Sequence, residues 1–272
     1  MKIQNLNEQP IEKLNYKTVE PGGKVINSEL PILAGEITDL PENLDGILVA
    51  SDLQGIVVRG NNEILLGEIL AEILPIIIEI ELGIKAEKTG VVLCGDLFAS
   101  LDKRGGLGDV RKVWDTFRNS FKWVAGIAGN HDSFGNKVRF EEFKKTEGIY
   151  YFDKEFKEIE GVKIAGISGI IGKPGRVNRR SEEDYLEILK NLLKKNPDIL
   201  LLHQTPNNYV EGLGGDENIT KIIENSNQTL VFCGHYHWNR PILEFSNKTQ
   251  VLNVDSRVVI LKNTLQKSKG DT

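Results

Sequence analysis

KWVAGIAGNHD occupies residues 122–132, and its two halves ask for opposite surroundings. Trp123 to Ala128 is an apolar run of strand length, suited to a buried place in a sheet. Gly129-Asn130-His131-Asp132 follows at once, putting an amide, an imidazole and a carboxylate at the end of that run. Open α/β sheets collect their ligands beyond the carboxyl ends of strands, so this junction is a candidate site as well as a candidate strand.

The same junction recurs along the chain. ILVA (47–50) runs into Ser51-Asp52-Leu53-Gln54, and VVLC (91–94) runs into Gly95-Asp96. DILLLH (198–203) ends in His203, and TLVFCG (229–234) runs into His235-Tyr236-His237. VKIAGIS (162–168), QVLNV (250–254) and RVVIL (257–261) complete the candidate strands. Candidate helices cover 62–82, 107–120, 181–195 and 216–225. The third is the clearest: Ser181 caps it, Glu182, Glu183 and Asp184 suit its positive end, and Lys194 and Lys195 suit its negative end. Strands interleaved with helices predict an α/β layer architecture. The close pair at 250–261 predicts an antiparallel edge or a second sheet. Residues 1–45 are rich in Pro, Asn and Gly with weak periodicity. They are expected to wrap the surface as an extension to one domain over 46–272.

Bulk properties narrow the function classes. A net charge of -5 and a pI near 5.6 provide no global basic field for nucleic acid or anionic membrane. The polar start, MKIQNLNEQPIEKLN, lacks the apolar centre of a signal peptide. The most apolar stretch (64–84) is broken by Glu68, Glu72, Glu79, Glu81 and Pro75. It reads as a buried amphipathic helix with a break or kink near Pro75, not a membrane span. Cys94 and Cys233 each end an apolar run and form no CxxC, which predicts buried thiols in a reducing cytoplasm.

All four histidines of the chain fall at these strand ends, beside Gly or acidic residues. Burying Asp52, Asp96, Asn130 and several imidazoles without a partner would cost several kcal/mol per ion, a cost that a divalent cation removes. Imidazole, carboxylate and amide oxygen without thiolate suit Mn, Fe, Ni or Zn and disfavour Ca or a thiolate zinc site. Seven such side chains are too many for one tetrahedral ion and suit two ions sharing an Asp. Such pairs, typically about 3.5–4 Å apart, activate water and clamp phosphate.

In their order, GD at 95–96, GNHD at 129–132, His203 and GHYH at 234–237 resemble the calcineurin-like metallophosphoesterases over roughly 47–262. The resemblance implies a two-sheet α/β/β/α sandwich and a binuclear centre. It assigns Asp52, Gln54, Asp96 and His237 to the first metal. Asp96 bridges to the second, completed by Asn130, His203 and His235. A bridging water then attacks phosphorus in line, and His131 protonates the leaving oxygen or steadies charge on the phosphoryl group.

Two positions depart from the family pattern. The family usually has His where Gln54 stands, which implies looser binding at the first metal or a preference for Mn over Zn. The protein-phosphatase branch has an acid where this chain has Ala99, which leaves Asp132 as the candidate to orient His131.

The loop GKPGRVNRRS (172–181) offers Arg176, Arg179 and Arg180 as substrate-binding groups, because guanidinium forks match phosphate oxygens. Arg59, Lys103 and Arg104 are further cations near the motifs, and Trp238 lines either a pocket or the core. GGLGDVR (105–111) does not follow a strand and lacks GxGxxG, so no nucleotide loop is read there. The expected activity is hydrolysis of a phosphate monoester, diester or pyrophosphate, on a small phosphorylated substrate or a short nucleic acid. The rival of another class is a phosphoesterase fold used for binding or scaffolding with a weakened metal site.

Overall fold

The computed structural model describes residues 1–264. In the first half of the chain the strands are β1 Lys2–Leu6, β2 Glu12–Val19, β3 Val25–Thr38, β4 Gly46–Ser51, β5 Ile56–Arg59, β6 Asn62–Leu65, β7 Thr89–Leu93, β8 Gly108–Asp109, β9 Trp123–Gly126 and β10 Asp132–Ser133. The second half adds β11 Ile149–Tyr151, β12 Glu155–Ile159, β13 Val162–Ile167, β14 Ile170–Ile171, β15 Arg179–Arg180, β16 Ile199–Leu202, β17 Leu230–Cys233, β18 Ile242–Glu244, β19 Gln250–Asn253 and β20 Arg257–Asn263. Five α-helices intervene: α1 Leu66–Leu82, α2 Arg111–Ser120, α3 Lys137–Phe143, α4 Glu182–Leu193 and α5 Glu217–Glu224.

Two large sheets form. A ten-stranded sheet runs β11-β9-β7-β4-β20-β3-β2-β5-β6, with β1 attached to β3, and a six-stranded sheet runs β12-β13-β16-β17-β19-β18. Period-2 alternation sorts each central strand onto two cores. Leu48 and Ala50 of β4 face α1 and α2, whereas Ile47 and Val49 face the other sheet. Leu200 and Leu202 of β16 face α4 and α5, whereas Ile199 and Leu201 face back to the first sheet. The layers are therefore helix, sheet, sheet, helix: the α/β/β/α sandwich. Because both faces of the central strands are buried, their sequences are continuous apolar runs, as the sequence predicts.

β4, β7 and β9 are mutually parallel, as are β13, β16, β17 and β19. Their carboxyl ends, and hence the polar motifs, collect along one edge of the sandwich. A parallel bridge between Ser51 and Asp255 ties the ends of the two sheets together there.

Three expectations change. Residues 1–45 are not a surface wrapping: β3 pairs in parallel with β20, and Leu30, Ile32, Leu33, Ala34 and Ile37 are buried in the cores. Their weak periodicity reflects a 14-residue strand that is solvated at its start and buried on both faces near its end. The pair at 250–261 divides between sheets, β19 parallel to β17 and β20 antiparallel to β4, because the chain crosses the sandwich at Val254–Ser256. Finally, of the break or kink expected near Pro75, the break does not occur: α1 continues through the proline. Leu66, Leu70, Leu74 and Ile78 pin it to the sheet on both sides of the proline, so packing outweighs the lost backbone hydrogen bond.

Candidate metal centre

Asp52, Asp96 and His235 each sit one or a few residues beyond a strand with φ of 53°, 55° and 69°, the left-handed region that non-glycine residues rarely adopt. Such a conformation turns each side chain out of the strand direction toward the shared edge. Two glycines permit the close approach. A Cβ on Gly129 would overlap the Asp96 carboxylate, and one on Gly234 would overlap Ser51 Oγ and Asp52 Oδ2.

At the centre, one ligand atom each from Asp96, His203 and His235 lies within 4.8 Å of the others. His203 is fully buried, and its Nδ1 donates to the carbonyl of Cys94 at 2.7 Å. That bond fixes the ring and leaves Nε2 facing Asp96 Oδ2 at 3.2 Å, but not aligned as a hydrogen bond. Asn130 Oδ1 is likewise buried without a partner. Asn130 lies between Gly129, packed on Asp96, and His131, whose backbone N–H donates to Asp96 Oδ1 at 2.8 Å. The converging Asp96, His203 and His235, with the unpartnered Asn130 Oδ1 on the adjoining turn, form a donor set that fits a divalent cation.

The titration of these groups agrees with a centre short of positive charge. Burial disfavours imidazolium at His203, yet the Asp96 and Asp52 carboxylates outweigh it and hold its pKa up at about 10. Burial would raise Asp96, and His203 and His131 together hold it below the usual range. Burial pushes Asp52 up, against His203 and with help from Asp255 and Asp96. His235 is pushed down to about 4 by burial and by the charge on His203.

The other expected ligands are arranged differently. Gln54 Nε2 donates to Asp96 Oδ2 at 3.1 Å. Asp52 Oδ2 accepts from Ser51 Oγ at 2.7 Å and from the backbone of His235 at 2.9 Å. The His237 side chain is 55% exposed, and its Nδ1 meets Asp255 Oδ1 at 3.1 Å. Arg257 Nη2 stands 3.3 Å from Nδ1 and 3.2 Å from Nε2 of the same ring, and donates to the carbonyl of Trp238 at 2.7 Å.

Asp132 does not orient His131. Its carboxylate accepts from the backbones of Asp96, Leu97 and Gly129 at 2.8, 2.8 and 2.9 Å, and from Phe98 at 3.3 Å. It clamps the GD turn to the GNHD turn, and burial pushes its carboxyl up. His131 instead meets the carbonyl of Gly106 through Nδ1 at 3.1 Å, so the glycine loop that carries no nucleotide motif holds this ring. Since a carbonyl only accepts, Nδ1 carries the proton, and Nε2 lies on the cleft side 4.0 Å from Asp96 Oδ2.

A cleft of about 490 Å³ opens over Asp52, Gln54, Asp96, His131 and His235. Its lining includes the cations Lys17, Lys103 and Arg104, with Lys17 carried on β2 beside Tyr16 and Thr18. Arg176, Arg179 and Arg180 do not line it. Arg180 is paired with Asp153, and the loop faces the motif through Asn178, whose Nδ2 donates to the carbonyls of Gly129 and Asp132 at 2.7 and 2.9 Å. Trp238 is core, its Nε1 donating to the carbonyl of Gly214. Sequence reasoning missed Lys17, Asp255 and Arg257. Asp255 carried a signal, since QVLNV is one more apolar strand that ends in a carboxylate.

Among known proteins, the calcineurin-like phosphoesterase family model matches residues 46–239. No curated protein matches the chain. Solved structures similar to it include a protein of unknown function from Aquifex aeolicus, 14% identical, with 79% of this chain and 95% of that one covered at a TM-score of 0.35. A hypothetical protein from Thermus thermophilus is 14% identical over 76% of this chain and 75% of its own, at 0.45. The sulfate thiohydrolase SoxB of Thermus thermophilus, crystallised with glycerol, is 14% identical over 82% of this chain and 58% of its own, at 0.42.

Proposed function

Since the chain belongs to the calcineurin-like phosphoesterase family, we propose that it is a metal-dependent hydrolase of phosphate esters, with its metal anchored at Asp96, Asn130, His203 and His235. The observation that carries this reading is the convergence of Asp96, His203 and His235, one ligand atom of each within 4.8 Å of the others. A divalent ion held there supplies positive charge to the phosphoryl oxygens and activates water for attack at phosphorus. Nitrogen and oxygen donors without thiolate favour Mn, with Fe, Ni or Zn also suited.

The chain's own groups supply the rest. Asp96 holds the backbone of His131 through Oδ1, and Gly106 holds its ring, so Nε2 is presented to the cleft without freedom to turn away. From there, protonated His131 can give its proton to the leaving oxygen. Lys17, Lys103 and Arg104 offer charge to the phosphate from the rim, and none of the three is in an ion pair among the described residues. The cleft suits a small phosphorylated substrate, monoester, diester or pyrophosphate, over a long nucleic acid, which would need a basic stripe. Two buried free thiols suit a cytoplasmic setting. Among the described residues no helix is long and apolar enough to cross a membrane.

A binding or scaffold role is the second reading, favoured by the hydrogen bond through which Gln54 occupies Asp96. Purified protein with Mn should release nitrophenol from nitrophenyl phosphate or its bis ester, and Asp96→Asn or His235→Ala should abolish the release. Metal binding without turnover under any divalent ion would favour the second reading; neither binding nor turnover would end the first.

A further inference from the structure

The family resemblance gives the centre two metal positions, and the chain does not treat them alike. At one position Asp96, His203 and His235 converge within 4.8 Å, and Asn130 Oδ1 is buried without a partner. At the other, Asp52 Oδ2 and Asp96 Oδ2 already accept hydrogen bonds from the protein, and the His237 ring is held by Asp255 and Arg257. Gln54 directs an N–H at Asp96 Oδ2, the carboxylate oxygen that would otherwise be shared. The two N–H groups bonded to Asp52 Oδ2 and Asp96 Oδ2 come from His235 and Gln54, and Ser51 adds a hydroxyl on Asp52.

His237 is the decisive case. Its imidazole lies between the Asp255 carboxylate and the Arg257 guanidinium, and Arg257 reaches both ring nitrogens at 3.3 and 3.2 Å. Arg257 is 5% exposed and tied to the carbonyls of Asp255 and Trp238, so it cannot swing away without breaking buried bonds. A guanidinium stays charged at any working pH. It therefore repels a second cation from this imidazole. Asp255 and Arg257 both lie outside the residues matched to the family.

We infer that the centre takes one divalent ion, held by Asp96, Asn130, His203 and His235, and that Gln54 on Asp96 and Arg257 on His237 occupy the place of a second. The inference rests on the metal-dependent reading above and restricts it. His237, Asp255 and Arg257 are then positioning residues that close this side of the cleft, and Lys17, Lys103 and Arg104 take over charge that a second ion would have neutralised.

The test counts ions in the whole protein. Chelator-stripped protein is equilibrated by dialysis against saturating Mn, the metal is measured by elemental analysis, and the spin state is read by electron paramagnetic resonance. The expected result is one Mn per chain with an uncoupled spectrum. His237→Ala should keep that ion with its dissociation constant changed less than about threefold, whereas His203→Ala or His235→Ala should weaken it by more than about a hundredfold. Two Mn per chain with an exchange-coupled spectrum, or a loss of metal in His237→Ala, would overturn the inference and leave the metal-dependent reading intact. No Mn bound under any condition would overturn both.

Discussion

Gln54 donates its side-chain N–H to Oδ2 of Asp96 across 3.1 Å, where the family pattern would have an imidazole looking toward a metal. An amide N–H is a donor and no ligand, so in this orientation Gln54 serves the carboxylate. Loss of an outer hydrogen-bond partner costs a metal centre about 10–100-fold in affinity. Gln54→Ala should therefore weaken Mn binding by about tenfold, measured by titration calorimetry, without abolishing it. Complete loss would make Gln54 a direct ligand. Gln54→His should not raise the Mn count while Arg257 remains against His237.

Asp132 is a structural clamp, and its replacement should show as lost stability. Asp132→Asn keeps one oxygen for four backbone donors and turns an NH₂ group toward the rest. Unsatisfied buried donors make the expected loss about 3 kcal/mol, visible as a lower thermal midpoint. The pH profile of turnover should keep its shape, because Gly106 and not Asp132 holds the ring of His131. A profile displaced by the substitution would restore Asp132 to the role of orienter.

The cations that matter for substrate should be those on the cleft wall. Lys17→Ala, Lys103→Ala and Arg104→Ala should each raise KM for a phosphorylated substrate, by up to about tenfold, through loss of a charge-assisted contact. Arg176→Ala and Arg179→Ala should leave KM unchanged. Arg180→Ala should act on the thermal midpoint, through its pair with Asp153. A KM effect confined to the 172–181 loop would mean that the loop moves onto the substrate.

Metal binding should release protons. The His203 pKa is raised from the ordinary 6.5 to about 10, so the metal-free folded protein carries imidazolium there at pH 7.5. A metal needs the neutral ring, so binding must expel that proton, on the order of one per ion. Affinity should thus increase as pH rises toward 10 and level off above it. Calorimetry in buffers of different ionisation enthalpy measures the proton count directly. His235 adds little, since its pKa of about 4 leaves it neutral across that range.

The strand ends were legible because they depend on local chemistry. An apolar run buried on both faces must end where its polar residues begin, and parallel strands must end together. That logic places Asp52, Asp96, Asn130, His203 and His235 on one edge from sequence alone, and it would have reached Asp255 had QVLNV been read one residue further. The N-terminal strands escaped it. β3 is polar for its first half and sandwiched for its second, so no single period marks it.

By itself the sequence determined the α/β class and the edge where ligands gather, set by short-range patterns of burial and turn, while the layer order followed from the family that the motifs resemble. Only the tertiary structure decided which donor each polar atom meets. Arg257 reaches His237 from 20 residues away, Gln54 reaches Asp96 from 42, and β2 carries Lys17 to the cleft from outside the matched region. Such pairings depend on ångström-scale placement of distant segments by the packed cores, which no local pattern records.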